Sequence, residues 1–314
     1  MTLKRLTRFG LPLVGLLFFS LSVWAIIHQL QQYSIQEILN NLRTTAIKHL
    51  LVALAFTMLS YLVLTGYDVL ACKYIRHPLP YRKIALAAAT SYAVSNTVGF
   101  ALFTGSAIRY RLYLLWGLTS VEVAQIIAFT NLSFWLGLSA VAGVLFSVEP
   151  LAIPTFLHLP FTSVHPLGII FLFLTCAYLL ASLGLKRRLR IRSWVIALPS
   201  FDIALAQIIL ASIDWGLAVA VLYVLLPSST HLSYPAFFGI YLLGQVAGLV
   251  SYIPGGLGVF ETVLLLLLSP AIPATKIFAA LVIYRVIYYF LPLAISVLLL
   301  GLYEFKQKKR RENS

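Results

Sequence analysis

Acidic residues are almost missing from this chain: 9 Asp and Glu stand against 23 Lys and Arg in 314 residues. Charge of either sign makes up only 10% of the sequence. An ordinary soluble domain carries about 25%, so no water-facing surface can be built from this one. Cysteine is scarce as well. Cys72 and Cys176 both sit at or inside apolar stretches, which supports neither a disulfide framework nor a metal site. The six histidines are scattered singly or beside prolines, without the spacing that metal ligation needs. No G-x-S-x-G, P-loop or H-E-x-x-H string occurs, and no two acids share one local motif. The residues therefore nominate no catalytic group, no metal site and no cofactor.

What the chain has instead is hydrocarbon. Hydrophobic residues make up 61% of it, and its mean hydropathy is +0.95. Apolar runs recur at the length of about 20 residues that crosses a bilayer core. They fall near 10–30, 49–72, 84–104, 121–147, 166–185, 201–226, 235–253, 257–269 and 277–302. This predicts an all-α, polytopic helical integral membrane protein. The basic start followed by the run at 10–30 is read as a retained first helix, since the run exceeds a typical signal-peptide core and lacks a clear cleavage site. Residues 34–48 alternate at helical spacing, as an interfacial helix or a plain connecting loop would.

The net charge of +14 raises nucleic acid as a partner, but its placement argues otherwise. Three basic residues precede the first run, four lie within 73–83, five within 186–192 and five within 306–311. The stretches 148–165 and 227–234 contain no Lys or Arg. The positive-inside rule makes the first four regions cytoplasmic and the last two external, with both termini inside a plasma (inner) membrane.

Parity then exposes a conflict. Between cytoplasmic 73–83 and external 148–165 the chain must cross an odd number of times, yet two apolar segments intervene. The first contains "SYAVSNTVGFALFTGS", whose polar and glycine residues suit a re-entrant hairpin buried in protein. In the second half, the segment 257–269 is too short for an ordinary span. A hairpin turning at Pro254, Gly255, Gly256 and Gly258 resolves this. The reading is about six full spans plus two re-entrant hairpins in a single transmembrane domain, 1–305, followed by a basic cytoplasmic tail, 306–314. The halves, near 1–150 and 151–305, would then be inverted repeats.

Ionisable residues inside such segments are functional candidates by default. Asp68 lies near the cytoplasmic end of its span, where pairing with the adjacent basic loop is the plain alternative. Arg109 follows the first hairpin, as does Arg111, an ordinary loop charge by position. Asp202 reads as a first-turn carboxylate. Asp214 falls near mid-membrane, Glu261 follows the Pro-Gly-Gly turn, and Arg285 lies in the last span with Tyr289 one turn away. Pairing of Arg285 with Glu261 or with Asp214 has a purely structural reading too. An arginine inside a membrane suits a phosphate, which it grips through two N–H groups. Tyr61, Tyr67, Tyr92, Tyr110, Tyr113, Tyr284 and Tyr288 offer amphipathic lining, as interfacial belts also would.

The string "SYIPGGLGVFE" at 251–261 resembles the signature of the lysylphosphatidylglycerol synthase transmembrane-domain family, which includes the membrane part of the multiple peptide resistance factor. "GYD" at 66–68, "SYAVSNTVGF…TGSAIRYRLYLLWGLT" at 91–119 and "YRVIYYFLPL" at 284–293 occur in the same order. The resemblance implies translocation of phospholipid between leaflets, and it nominates Asp68, Arg109, Glu261 and Arg285 for substrate binding, with Asp214 matched less securely. Because the chain ends eleven residues after Tyr303, it implies the flippase-like part without the aminoacyl-lipid synthase, and so a transporter rather than an enzyme. The partners expected are a membrane phospholipid, a lipid-modifying synthase and further copies of the chain. Two other classes stay open: a membrane-embedded enzyme acting on a lipid or polyprenyl carrier, and an accessory subunit of a lipid-modifying synthase.

Overall fold

Hydrocarbon offers backbone N–H and C=O groups no water, so each apolar segment must bond within itself, and the helix is how a single segment does so. The computed structural model describes residues 35–98, 104–148, 163–184, 189–191, 194–196, 198–227, 232–250 and 258–312. The helices, in order, are α1 (Ile35–Thr44), α2 (Ile47–Ile75), α3 (Tyr81–Val98), α4 (Thr104–Leu115), α5 (Ser120–Val148), α6 (His165–Gly184), α7 (Phe201–Leu225), α8 (Tyr234–Val250), α9 (Val259–Leu268) and α10 (Ala274–Tyr284). A π-helical stretch, Arg285–Phe290, joins α10 to α11 (Leu291–Glu312) without a break.

Five of these are long and apolar enough to cross a membrane: α2, α5, α6, α7 and the continuous helix that runs through α10 into α11. The segment at 10–30, expected as a further span, lies outside the described residues. The short helices pair off, α3 packing on α4 and α8 on α9; the first pair extends past the segment 84–104 expected to form the hairpin, so Arg109 and Arg111 lie on its second helix rather than after it. The tips of the two pairs, 99–103 and 251–257, lie outside the described residues, and the turn residues Pro254, Gly255 and Gly256 with them. Of the two readings of 34–48, residues 35–44 take the helical one and lie against α10. A two-stranded antiparallel pair, β1 (Leu189–Ile191) with β2 (Trp194–Ile196), adds to the helical architecture. The "LRIR" run alternates with the period of two that strands use, a pattern hidden when the loop is read only for its charge.

The two central helices are α2 and α7, which pack along each other, with α5 against both. A close approach makes this contact. A Cβ added at Gly137 on α5 would lie 3.0 Å from the carbonyl carbon of Ala211 on α7 and closer still to its methyl. Small residues at such crossings let membrane helices gain van der Waals contact, since lipid supplies no hydrophobic drive between them. Gly137→Val should therefore cost on the order of 1–3 kcal/mol, read as a lower thermal-unfolding midpoint in detergent; an unchanged midpoint would contradict the crossing. Apolar side chains on α6 and α11, such as Phe173 and Leu298, stay exposed, as suits faces turned to lipid.

Candidate functional site

Asp68, Asp214 and Glu261 are all buried, and each is held differently. Asp68, on α2, has no exposed surface. Arg109, on α4, donates to it through both arms of the guanidinium, Nε to Oδ1 and Nη2 to Oδ2, each at 2.9 Å. Tyr113, one turn beyond Arg109, adds its hydroxyl to Oδ1 at 2.8 Å. The guanidinium lies 4.3 Å from the Tyr92 ring centre, within cation–π range. Asp68 is thus tied to the first hairpin across the fold and not to the neighbouring basic loop. A planar fork matched to a carboxylate is the strong form of this contact.

The second site begins at Gly258, whose φ of +80° places it where side chains are disfavoured. That conformation aims its N–H at Glu261 Oε2, 2.9 Å away, so Glu261 closes the start of α9. The other carboxylate oxygen accepts from Arg285 Nε at 2.8 Å and Nη2 at 2.6 Å. Glu261, not Asp214, is therefore the partner of Arg285. Tyr289 stands one π turn on, its ring centre 4.6 Å from the guanidinium, as their spacing in the sequence leads one to expect. A π turn leaves backbone carbonyls without their usual α partners. Here Thr97 of α3 donates to the Tyr289 carbonyl at 3.3 Å and Tyr61 of α2 to the Tyr288 carbonyl at 3.4 Å. Both the first hairpin and α2 thus hold the π stretch.

The third acid, Asp214 on α7, accepts from hydroxyls: Ser60 on Oδ1 at 2.8 Å and Tyr67 on Oδ2 at 3.2 Å. Among the described residues no Lys, Arg or His forms an ion pair with it. Ser60 also meets the Tyr288 hydroxyl at 3.1 Å. The Tyr67 ring stands edge-on to Tyr92, 5.8 Å between centres, and Tyr288 does the same to Tyr289 at 5.4 Å. A continuous row results, from Arg109 through Tyr92 and Tyr67 to Asp214, then through Ser60, Tyr288 and Tyr289 to Arg285. The first hairpin and three spans contribute to it, and Glu261 of the second hairpin holds Arg285 at its end.

Other candidates stay outside the row. Arg111 is exposed and pairs with Glu304 at 2.8 Å, and Asp202 occupies the exposed first turn of α7. Ser60 is the participant that the sequence reading missed. It falls seven and eight residues before Tyr67 and Asp68, on the same stripe of α2, and that stripe was the available signal. Buried Ser91 and Ser106, in the first hairpin, have side-chain oxygens without a hydrogen-bond partner among the described residues. No three His, Cys, Asp or Glu side chains converge among those residues.

Comparison with known proteins gives a consistent set. The family described as the lysylphosphatidylglycerol synthase TM region matches residues 13–296. An uncharacterized protein of Synechocystis, slr0712, is 47% identical over 98% of this chain and 95% of its own length. The inner membrane protein YbhN of Escherichia coli is 33% identical over 83% of this chain and 82% of its own. A phosphatidylglycerol lysyltransferase of Staphylococcus aureus is 25% identical over 78% of this chain, which spans 28% of that enzyme.

Proposed function

The chain belongs to the lysylphosphatidylglycerol synthase transmembrane family, and from that membership we propose that it moves a phospholipid, or a lipid-linked headgroup, between the leaflets of the inner membrane. It does so as a transporter rather than as an aminoacyl-lipid synthase. The observation that carries this reading is the pair of buried arginines, one in each half, each neutralised by a carboxylate and lying on a tyrosine ring.

The chemistry follows from exchange. A phosphodiester and a carboxylate carry the same single negative charge and offer the same fork of two oxygens to a guanidinium. A headgroup phosphate can therefore replace Asp68 or Glu261 on its arginine without changing the charge seen by that arginine. The arginine supplies what water supplied at the surface, while the acyl chains remain in lipid. Asp68 and Glu261 keep the arginines compensated between passages, because an unpaired charge in hydrocarbon is costly. Tyr289 and Tyr92 hold the two forks flat, and Asp214 borders the path between them.

The halves 1–150 and 151–305 are read as inverted repeats, with N- and C-termini cytoplasmic. On that scheme α2 corresponds to α7, the α3/α4 hairpin to the α8/α9 hairpin, and α5 to the helix from α10 into α11.

Protein-mediated transfer is the test. In proteoliposomes free of ATP, a headgroup-labelled phospholipid should become fully accessible to a membrane-impermeant quencher. Protection of the inner-leaflet fraction, as in protein-free vesicles, would sink the proposal, and a chemically altered lipid recovered afterwards would favour an enzyme instead.

A further inference from the structure

Asp214 differs from the other two membrane acids in one respect: among the described residues, nothing positively charged pairs with it. The groups facing it can be named element by element. Ser60 and Tyr67 reach it from α2, and Tyr288 reaches Ser60 from the π stretch. Tyr92 of α3 lies behind Tyr67, and Tyr61 of α2 lies edge-on to Tyr288. From α10, Tyr284 stacks on Tyr288 and bonds Tyr241 of α8. On α5, Ser133 bonds Gln207, two turns from Asp214 along α7, and Tyr178 of α6 bonds the same Gln207. Arg109 and Arg285 are each engaged by their own carboxylates. Apart from those two paired arginines and their carboxylates, every group named around Asp214 among the described residues is neutral when its hydroxyls keep their protons.

Charge counting makes the consequence plain. Asp68 cancels Arg109 and Glu261 cancels Arg285. An ionised Asp214 leaves one uncompensated negative charge in the interior of the bilayer, a costly arrangement, and a bound proton removes it. The shell also suits both forms. Ser and Tyr hydroxyls rotate, each serving as donor or acceptor, so they can donate to a carboxylate or receive from a carboxylic O–H without displacing a heavy atom. The Arg109 and Arg285 forks have donors only and cannot accept from a carboxylic O–H.

We propose that Asp214 is a proton-binding site, loaded and unloaded once per headgroup passage, so that lipid transfer is coupled to proton movement. The proposal rests on the translocase reading above. The O–H bond forms at an Asp214 oxygen on one side of the cycle and breaks on the other; nothing is oxidised or reduced, and the proton comes from and returns to water.

Reconstituted full-length protein with labelled phospholipid, held under an imposed pH gradient, tests this. One proton per lipid shifts the steady-state leaflet ratio by about tenfold for each unit of gradient. Wild type should show that shift. Asp214→Asn should lose the shift, and Asp214→Glu should restore it. Transfer by wild type that ignores the gradient, or a shift that persists in Asp214→Asn, overturns the proposal. If wild type transfers no lipid at all, the translocase reading falls while the proton site remains measurable. Infrared difference spectra between acidic and alkaline samples should then show a carboxylic C=O band that vanishes in Asp214→Asn and moves in Asp214→Glu. Absence of that band in wild type overturns the site by itself.

Discussion

Arg285→Ala should lose lipid transfer completely and destabilise the protein by about 3–5 kcal/mol, the cost of leaving one member of a buried pair uncompensated. Glu261 would remain buried with one oxygen bound to the Gly258 N–H and the other facing no donor. Glu261→Ala should be destabilising in the same range, because it strands the guanidinium and also uncaps α9. The double variant separates the two roles of these residues. With both charges gone, its loss of stability should be smaller than the sum of the single losses. If the arginine binds the headgroup, transfer should nonetheless stay at the protein-free level. Unfolding midpoints and leaflet transfer measured on the same three preparations decide the matter. A double variant that folds and transfers at the wild-type rate would reduce Glu261 and Arg285 to a structural staple.

Arg109→Lys should fold and yet transfer lipid roughly tenfold to a hundredfold more slowly. Lysine preserves the charge opposite Asp68, so compensation survives. It cannot reproduce the two parallel bonds of Nε and Nη2, nor lie flat on Tyr92 as a guanidinium does. Hydrogen bonds to charged groups contribute about 1.5–3 kcal/mol each, and one such bond accounts for the expected slowing. Initial rates of label transfer, normalised to reconstituted protein, give the answer. A wild-type rate would mean that the fork at this position does not hold phosphate.

Much of this arrangement was legible before any coordinates, for a physical reason. Lipid tolerates so few charges that each one surviving in an apolar segment points to itself, which is how Asp68, Asp214, Glu261 and Arg285 were found. Charge parity likewise asked for one hairpin, and the shortness of 257–269 for a second, where α3/α4 and α8/α9 now pair. Partner choice was not legible. Spacing along the chain allowed Arg285 to meet Glu261 or Asp214, and Asp68 to meet its own loop, because the choice depends on how α4 and α9 pack against α2 and the last span. Ser60 was overlooked since a serine in a membrane helix can bond its own backbone, and only its neighbour Asp214, 154 residues away in sequence, shows that it does otherwise. The β1/β2 pair is hidden for a different reason: the five basic residues of 186–192 signal sidedness and mask the alternation of a strand.

The π stretch at Arg285–Phe290 also sets a phase. A π turn accommodates one residue more than the α-helix around it, and each residue turns an α-helix by about 100°. Beyond Phe290, α11 therefore presents a face offset by that angle from the one an unbroken helix would present. On the face α11 presents, the Tyr303 hydroxyl accepts from Trp116 Nε1 at 2.7 Å and Glu304 pairs with Arg111 of α4 at 2.8 Å. The last span thus meets the first hairpin at two depths, through Thr97 at the π turn and through Trp116 and Arg111 further along. Relaxing the π turn to α geometry would rotate one set of contacts out of register with the other. The span behaves as a keyed shaft, with the surplus residue as its key.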